Sequence, residues 1–261
     1  MTNSPDEQKT NQEESPGEVT PPEQSASHEP ATKAKASPRD ERAGKKRGRK
    51  ESGRKAPLKR SFVKRAFYFL VRLFSQYLGV FLFNARCYGR ENIPGAGRGL
   101  ILSSHQSHFD PVLIGITFNE RLNYLARRTL FNNKIFGTII SLLDAIELDR
   151  DRSGLAGLKE TLQRLKRGEK VLIFPEGTRS SDGKLAKLKP GFIAVAKRSK
   201  VPLIPVAITG AFEALPRGAK LPLRHPMRVV VGKVIEYEEF GHLEDDELLQ
   251  LIQQRLEDCD R

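Results

Sequence analysis

Two short apolar runs, each followed at once by a cluster of polar residues, are the strongest indication of the fold of this chain. The first run, Gly-Leu-Ile-Leu at residues 99–102, leads to Ser-His-Gln-Ser-His-Phe-Asp-Pro at residues 104–111. The second, Lys-Val-Leu-Ile-Phe at residues 170–174, leads to Pro-Glu-Gly-Thr-Arg-Ser at residues 175–180. Short apolar runs bounded by turn residues are typical of buried strands. We therefore predict core strands that deliver polar side chains at their carboxyl ends.

His105 and Asp110 are the chemically notable pair in the first cluster. Five positions apart on one helix would separate them by about 140°, so a strand-to-helix turn is the geometry in which they meet. We predict Asp110 as a helix N-cap, with Pro111 at the first helical position. A carboxylate beside the imidazole would fix its tautomer and strengthen it as a general base. From the spacing alone, a plain capping role for Asp110 remains an equal alternative.

The second cluster predicts a site for an anionic oxygen. Glu176, Gly177, Thr178 and Arg179 leave the end of one predicted strand together. Glycine permits close backbone approach, and arginine holds phosphate with a planar fork of donors. Further along, Lys189 stands just before a predicted helix that begins near Pro190, where anion binding is favoured.

Four sequence blocks, in order, resemble the glycerolipid acyltransferases. They are the His-x4-Asp block at residues 105–110, Ala-Ile-Glu-Leu-Asp-Arg at 145–150, Phe-Pro-Glu-Gly-Thr-Arg-Ser at 174–180, and Val-Pro-Leu-Ile-Pro-Val at 201–206. The resemblance covers roughly residues 88–235 and is greatest to the 1-acylglycerol-3-phosphate (lysophosphatidate) acyltransferase type. Ser104 stands where many relatives have Asn, and His108 is a second histidine inside the first block.

The resemblance implies an enzyme that moves a fatty acyl group from a thioester to a lysophosphatidate-like acceptor, making phosphatidic acid in phospholipid biosynthesis. His105 would be the catalytic base and Asp110 its orienting partner. The acceptor would be bound by Arg150, Glu176, Gly177, Thr178, Arg179 and Lys189. The acyl donor would be acyl-CoA or acyl carrier protein, with no bound cofactor. No metal is expected, since the His, Asp and Glu residues are not spaced as a ligand set.

Other functions stay open at this point. The acceptor could be glycerol 3-phosphate or another lysophospholipid, since the same residues would bind its phosphate. A serine hydrolase using Ser107 is disfavoured, because the sequence has no Gly-x-Ser-x-Gly motif. A non-enzymatic membrane- or nucleic-acid-binding protein, acting through its basic segment, is the third alternative.

The expected organisation is one α/β acyltransferase domain, with a mixed central sheet flanked by helices, behind an N-terminal extension. Residues 1–57 have almost no large apolar side chains and are predicted to be a disordered tail. Residues 58–87 are predicted as a membrane-interface or anchor helix, 88–240 as the acyltransferase domain, and 241–261 as a C-terminal helix. Further strands are predicted at 123–126, 146–148, 201–208 and 227–234, and further helices at 111–118, 135–143, 153–167 and 244–256.

Charge is distributed unevenly along the N-terminal part of the chain. Residues 1–32 carry a net charge of −6, whereas residues 33–65 carry fifteen Lys or Arg and three acids, a net of +12. Residues 33–61 of this basic block contain no aromatic side chain for base stacking, which argues against single-stranded nucleic acid. Its position beside an apolar segment favours an anionic membrane surface on the cytoplasmic face.

The apolar segment at residues 66–85 is long enough to cross a bilayer but includes Arg72. An arginine is costly at the bilayer centre, so we predict an amphipathic helix lying in the interface. A single-pass anchor and a helix packed inside the protein are the alternatives. Cys87 and Cys259 are the only cysteines, so we expect no disulfide framework and no cysteine-based metal site.

Overall fold

Six predicted strands and one unpredicted strand form a seven-stranded sheet in the computed structural model of this protein. The structure describes residues 60–95, 97–148, 155–219 and 221–260. The strands are β1 (Arg86–Tyr88), β2 (Gly99–Ser103), β3 (Leu122–Arg127), β4 (Ala145–Leu148), β5 (Lys170–Ile173), β6 (Leu203–Thr209) and β7 (Arg228–Val231). β1 was missed because three residues are too few to show a strand pattern.

The sheet order is β1-β7-β6-β2-β5-β3-β4, with β2 at its centre. All neighbouring pairs are parallel except β6 and β7, which are antiparallel. The predicted α/β fold with a mixed central sheet is therefore confirmed. Because β2, β5 and β3 are parallel neighbours, their carboxyl ends open at the same edge of the sheet.

Eight α-helices flank this sheet in the part of the chain that the structure describes. They are α1 (Phe62–Phe83), α2 (Asp110–Thr117), α3 (Lys134–Leu142), α4 (Leu155–Lys166), α5 (Ile193–Ser199), α6 (Ala211–Ala214), α7 (Tyr237–Phe240) and α8 (Asp245–Asp260). The helix α1 falls within the predicted segment 58–87, and α8 within 241–261. The predicted tail, residues 1–57, lies outside the described residues.

The central strands are buried on both faces, as parallel strands covered by helices must be. Leu100 and Leu102 of β2 point into an apolar cluster that includes residues of α5 and α8, with α4 packed against it. Ile101, between them, points into a second cluster with Leu113 and Ile114 of α2. The sheet is thus the middle layer between α4, α5 and α8 on one face and α2 on the other.

Helix α1 exposes its apolar residues yet holds its one central arginine inward. Phe69, Phe74 and Phe81 are each 62% exposed. The guanidinium of Arg72 donates to the carbonyls of Gly115, Ile116 and Phe118, which lie at the carboxyl end of α2. Those carbonyls lack helical partners and carry the negative end of the helix dipole, so they offset the cost of an arginine in an apolar helix.

By length and composition, α1 is the one helix among the described residues that could cross a membrane. Only 6% of its most apolar window is buried against the rest of the protein. This degree of exposure argues against a helix packed wholly inside the protein and favours membrane association.

A buried carboxylate holds the start of α1 against the core. Asp144, between α3 and β4, lies 2.5 Å from Nε of Arg60 and 2.6 Å from Nε of Arg121. Its side chain is 2% exposed, and its backbone adopts the left-handed conformation at a φ of 64°. Two arginines on one buried carboxylate therefore join the helix to the β3 and β4 side of the sheet.

Candidate active site

The polar residues of both predicted clusters meet at the edge where β2, β5 and β3 end. His105 follows β2 by two residues, and the segment beginning at Phe174 follows β5 directly. The loop after β5 is tied to the loop after β2, because the Ser180 N–H donates to the His105 carbonyl at 2.7 Å. The two clusters therefore form one site.

The imidazole of His105 is hydrogen-bonded to Asp110, with Nδ1 and Oδ2 separated by 2.7 Å. The same oxygen accepts the backbone N–H groups of Gln106 at 2.6 Å and Ser107 at 2.8 Å. Because an ionised carboxylate only accepts, Nδ1 carries the proton, and Nε2 keeps its lone pair. The geometry predicted for this pair is present, and Nε2 is available to take a proton.

The prediction that Asp110 caps the helix was wrong by one position. Helix α2 begins at Asp110, and its N-cap is Phe109, which makes no side-chain capping bond. The carboxylate of Asp110 instead turns back to the loop that holds His105, where it meets three donors. It is wholly buried, and all three donors meet Oδ2, whereas Oδ1 has no hydrogen-bond partner among the described residues.

Phe174 holds the imidazole from one face. The two rings are stacked with centroids 3.9 Å apart and planes 16° apart. With Asp110 fixing one ring nitrogen and Phe174 fixing the plane, the direction of Nε2 is set. No local sequence pattern predicts this contact, because the two residues are far apart in the chain.

Glu176 braces two loops instead of facing the cavity. Its Oε1 accepts the backbone N–H of His105 at 2.7 Å, and its Oε2 accepts that of Ala186 at 3.0 Å. Burial raises the pKa of this carboxyl to about 7, although the two N–H donors act in the opposite direction. Both oxygens accept hydrogen bonds from backbone N–H groups, so the structure does not favour the predicted contact between Glu176 and a bound acceptor.

Gly177, Thr178 and Arg179 form the turn that follows Glu176. Gly177 has a φ of 70°, and its N–H donates to the Phe174 carbonyl at 3.0 Å. A tight turn with positive φ explains why glycine occupies this position. Arg179 is half-buried, and its Nη1 is buried without a hydrogen-bond partner among the described residues. All three residues line the cavity described below.

Several cations lie near Arg179, and we call the part of the cavity wall that they form its mouth. Lys189 is exposed and lines the cavity, and its N–H donates to the Pro175 carbonyl at 2.9 Å. Arg127, at the end of β3, donates to the Gly177 carbonyl at 3.4 Å. Burial lowers the pKa of Arg179, and the neighbouring charges of Arg217 and Arg127 lower it further, whereas the charge of Asp110 acts in the opposite direction. This mouth is therefore strongly positive.

Arg127 and Arg217 are two cations of the cavity wall that were not among the predicted site residues. Arg127 directly follows the strand predicted at residues 123–126, so its position at a strand end was a signal in the sequence. Arg217 lies between a proline and a glycine after α6, and only the fold brings it to the site. Arg150, by contrast, was predicted to bind the acceptor but lies outside the residues that the structure describes.

A cavity of about 980 Å³ opens beside His105. Its wall near the imidazole is polar and positive, whereas the rest is largely apolar. Apolar lining residues from β3, α3, β5 and α5 include Leu125, Ile139, Ile140, Leu143, Ile173 and Val195. Helix α1 contributes Tyr68, Val71, Arg72 and Ser75 to the same wall. The arrangement suits an amphipathic ligand with an anionic head and an aliphatic chain.

Ser107 and His108, also in the first cluster, have different roles. Ser107 is wholly buried, and its hydroxyl donates to the Leu215 carbonyl at 3.0 Å, so it is not placed as a nucleophile. His108 is exposed and lines the cavity. Burial of part of its ring and the charge of Arg179 lower the pKa of His108, which keeps it neutral near pH 7. Within the described ranges, no three His, Cys, Asp or Glu side chains converge as a metal site would require.

A family model described as Acyltransferase matches residues 84–209. The chain is 30% identical over 172 residues to the 1-acyl-sn-glycerol-3-phosphate acyltransferase of Bacillus subtilis, covering 66% of this chain and 83% of the relative. It is 34% identical over 157 residues to the Pseudomonas aeruginosa protein of the same name, covering 59% of this chain and 60% of that relative.

One solved structure has a similar fold. The 1-acyl-sn-glycerophosphate (LPA) acyltransferase PlsC from Thermotoga maritima superposes with a TM-score of 0.66, at 23% sequence identity. The match covers 78% of this chain and 83% of that chain. At this identity, the similarity concerns the fold alone.

Proposed function

The chain belongs to the acyltransferase family, and from this we propose that it transfers a fatty acyl group from a thioester to the free hydroxyl of 1-acylglycerol 3-phosphate. The product would be phosphatidic acid. The relatives named above carry this activity in their names. Because the chain belongs to an enzyme family, the alternative of a non-enzymatic protein that acts only through its basic segment is disfavoured.

One observation carries the proposal: Nε2 of His105 makes no hydrogen bond within the described ranges and can act as a base at the polar end of a large, mainly apolar cavity. Asp110 holds the opposite ring nitrogen at 2.7 Å. The cavity volume of about 980 Å³ lies at the upper end of the range for ligand pockets, which suits a long aliphatic chain.

The proposed reaction begins with proton transfer. The acceptor hydroxyl gives its proton to Nε2 of His105 as its oxygen attacks the thioester carbonyl. The new C–O bond forms while the carbonyl electrons move to oxygen, giving a tetrahedral oxyanion. Proton transfer of this kind contributes about 10²–10⁴-fold to the rate.

Asp110 supports the charged form of His105 that results. Its buried carboxylate faces the imidazolium and keeps the ring in the orientation that it had before the transfer. When the oxyanion collapses, the C–S bond breaks, and the imidazolium returns the proton to the departing thiolate. The enzyme leaves the cycle unchanged, and atoms and charge balance without a further reactant.

The cations at the cavity mouth would hold the acceptor phosphate. Arg179, Lys189 and Arg127 line the mouth beside His105, and Gly177 and Thr178 form the turn that carries Arg179. Binding the phosphate there positions the acceptor hydroxyl near Nε2, which lowers the entropic cost of the reaction. Arg150 is added to this set on the strength of the sequence resemblance, and Glu176 contributes by bracing the His105 loop.

The acyl donor is a substrate, and we propose acyl-CoA or acyl carrier protein in that role. Helix α1 would hold the enzyme at an anionic membrane surface on the cytoplasmic face. Its exposed phenylalanines and the basic residues 33–65 ahead of it support this location. The acceptor and the product, both lipids, would then exchange with the same membrane.

The proposal is tested by measuring transfer from a labelled long-chain acyl thioester to lysophosphatidate. We expect the wild type to be active and His105→Ala to lose at least about 10²-fold in kcat. His242→Ala, at an exposed histidine, is the matched control and should retain full activity. Equal activity in wild type and His105→Ala would show that the base is assigned wrongly. Activity with glycerol 3-phosphate but not with lysophosphatidate would contradict the proposed acceptor.

A further inference from the structure

The loop that follows α6 is built into the wall of the active site. The buried hydroxyl of Ser107 donates to the Leu215 carbonyl at 3.0 Å, across 108 positions of sequence. The Leu223 N–H closes the base of the loop by donating to the Ala214 carbonyl at 2.7 Å. Because Ser107 lies two residues from His105, the loop is fixed to the turn that carries the proposed base.

Arg217 occupies the tip of this loop. The Ala219 N–H donates to the Pro216 carbonyl at 3.1 Å, which closes a four-residue turn around Arg217 and Gly218. Gly218 has a φ of 95°, a conformation that glycine adopts without strain. The turn therefore fixes the backbone of Arg217, whereas its exposed side chain remains able to reach a ligand.

Arg217 faces the mouth of the cavity from a different loop than the other cations. It lines the cavity with Arg179, Lys189 and Arg127. Arg179 and Lys189 follow β5, whereas Arg217 follows β6 and α6. Both loops are hydrogen-bonded to the His105 turn, so two separate loops bring Arg179, Lys189 and Arg217 to one cavity. Within the described ranges, no carboxylate forms an ion pair with any of the four, and the opposing charge that acts on Arg179 is that of the buried Asp110, which raises its pKa.

The surplus of positive charge determines which anion fits. A phosphate monoester carries about −1.5 to −2 charges at pH 7, whereas a phosphodiester carries about −1. The charge of Arg217 already lowers the pKa of Arg179, so the two guanidinium groups are close enough to repel one another. A dianion relieves that repulsion more completely than a monoanion does.

We propose that Arg217 binds the second negative charge of a phosphomonoester and so selects lysophosphatidate over lysophospholipids with a phosphodiester head group. The inference rests on the proposed function for the identity of the acceptor, and it adds a specificity-determining residue to that site. Arg179, Lys189 and Arg127 would bind the phosphate of either acceptor.

Equilibrium binding of two matched ligands tests the inference. The ligands are 1-acylglycerol 3-phosphate and its phosphate methyl ester, which differ in one negative charge, each titrated by calorimetry in the same detergent micelles. At a pH of about 7.5, above the second phosphate pKa near 6, the monoester is mainly dianionic. We expect Arg217→Ala to weaken binding of the monoester about tenfold or more and that of the methyl ester less than about threefold.

Two further variants separate charge from structure. Arg217→Lys keeps the charge and should restore most of the preference for the monoester. Arg224→Ala removes an exposed arginine from the same connection without touching the cavity, and should leave both affinities unchanged. Equal weakening of both ligands in Arg217→Ala, or no weakening, would overturn the inference, as would a wild type without preference. Because no turnover is measured, a protein that selects the monoester but transfers no acyl group would overturn only the proposed function.

Discussion

The carboxylate of Glu176 accepts the backbone N–H of His105 at 2.7 Å, so a residue from the second cluster fixes the main chain of the first. Its other oxygen accepts the Ala186 N–H at 3.0 Å, in the loop that leads to Lys189. One buried side chain thus sets the distance between the proposed base and the proposed phosphate site. Glu176 acts on the reaction through these two loops.

This bracing role predicts a pH dependence of stability. Burial raises the pKa of Glu176 in the folded state to about 7, above its unfolded value near 4.5. Between these values the folded state binds the extra proton, so ionisation of Glu176 lowers stability as the pH rises through this window. We expect a loss of roughly 3 kcal/mol, complete above pH ~7. We would measure the free energy of unfolding in urea at a series of pH values. Between pH ~4.5 and 7 it should decline by roughly 3 kcal/mol less in Glu176→Gln than in the wild type.

The same substitution separates bracing from ligand binding. Gln keeps one acceptor but points an NH2 group at a backbone N–H, so one of the two loop contacts is lost. We expect kcat to fall and the KM for the acceptor to change little, since the His105 loop loosens. A selective rise in the KM for the acceptor, with kcat preserved, would contradict bracing and support direct binding of the acceptor.

Asp110→Asn tests whether the carboxylate sets the tautomer of His105. The amide can donate to Nδ1, which would place the proton on Nε2, the nitrogen required to accept one. We expect kcat to fall about 10²–10⁴-fold with only a small change in the KM for the acceptor. Turnover assays on folded protein check this, with Asp246→Asn at an exposed aspartate as the control. Retention of more than about a tenth of the activity would mean that Asp110 is mainly structural.

The fold was predictable because short stretches of the sequence indicate where its strands lie. The runs at 99–102 and 170–174 read as strands, and they are the buried strands β2 and β5. The pairing of His105 with Asp110 was also accessible, since five residues and a proline define the turn between them.

What escaped prediction depends on contacts between distant segments. The stack of Phe174 on His105, the bond from Ser107 to Leu215, and the inward turn of Arg72 join positions 43 to 108 residues apart. No local pattern encodes such partners. The helix start at Asp110 was misjudged for a related reason, since the carboxylate that could cap α2 is engaged by His105 instead.

The basic segment ahead of α1 predicts a salt-sensitive membrane contact. Removing residues 1–57 deletes most of the basic block, and each basic residue near an anionic surface contributes about 1 kcal/mol. We expect weaker sedimentation with anionic liposomes and unchanged turnover on micellar substrate. A second deletion, of residues 1–32, removes the acidic part and retains the basic block, so its binding should equal or exceed that of the full chain. Added salt should abolish the difference between the two deletions, because screening acts on charge and spares the apolar face of α1. Liposome binding that is unchanged on removal of residues 1–57 would assign membrane contact to α1 alone.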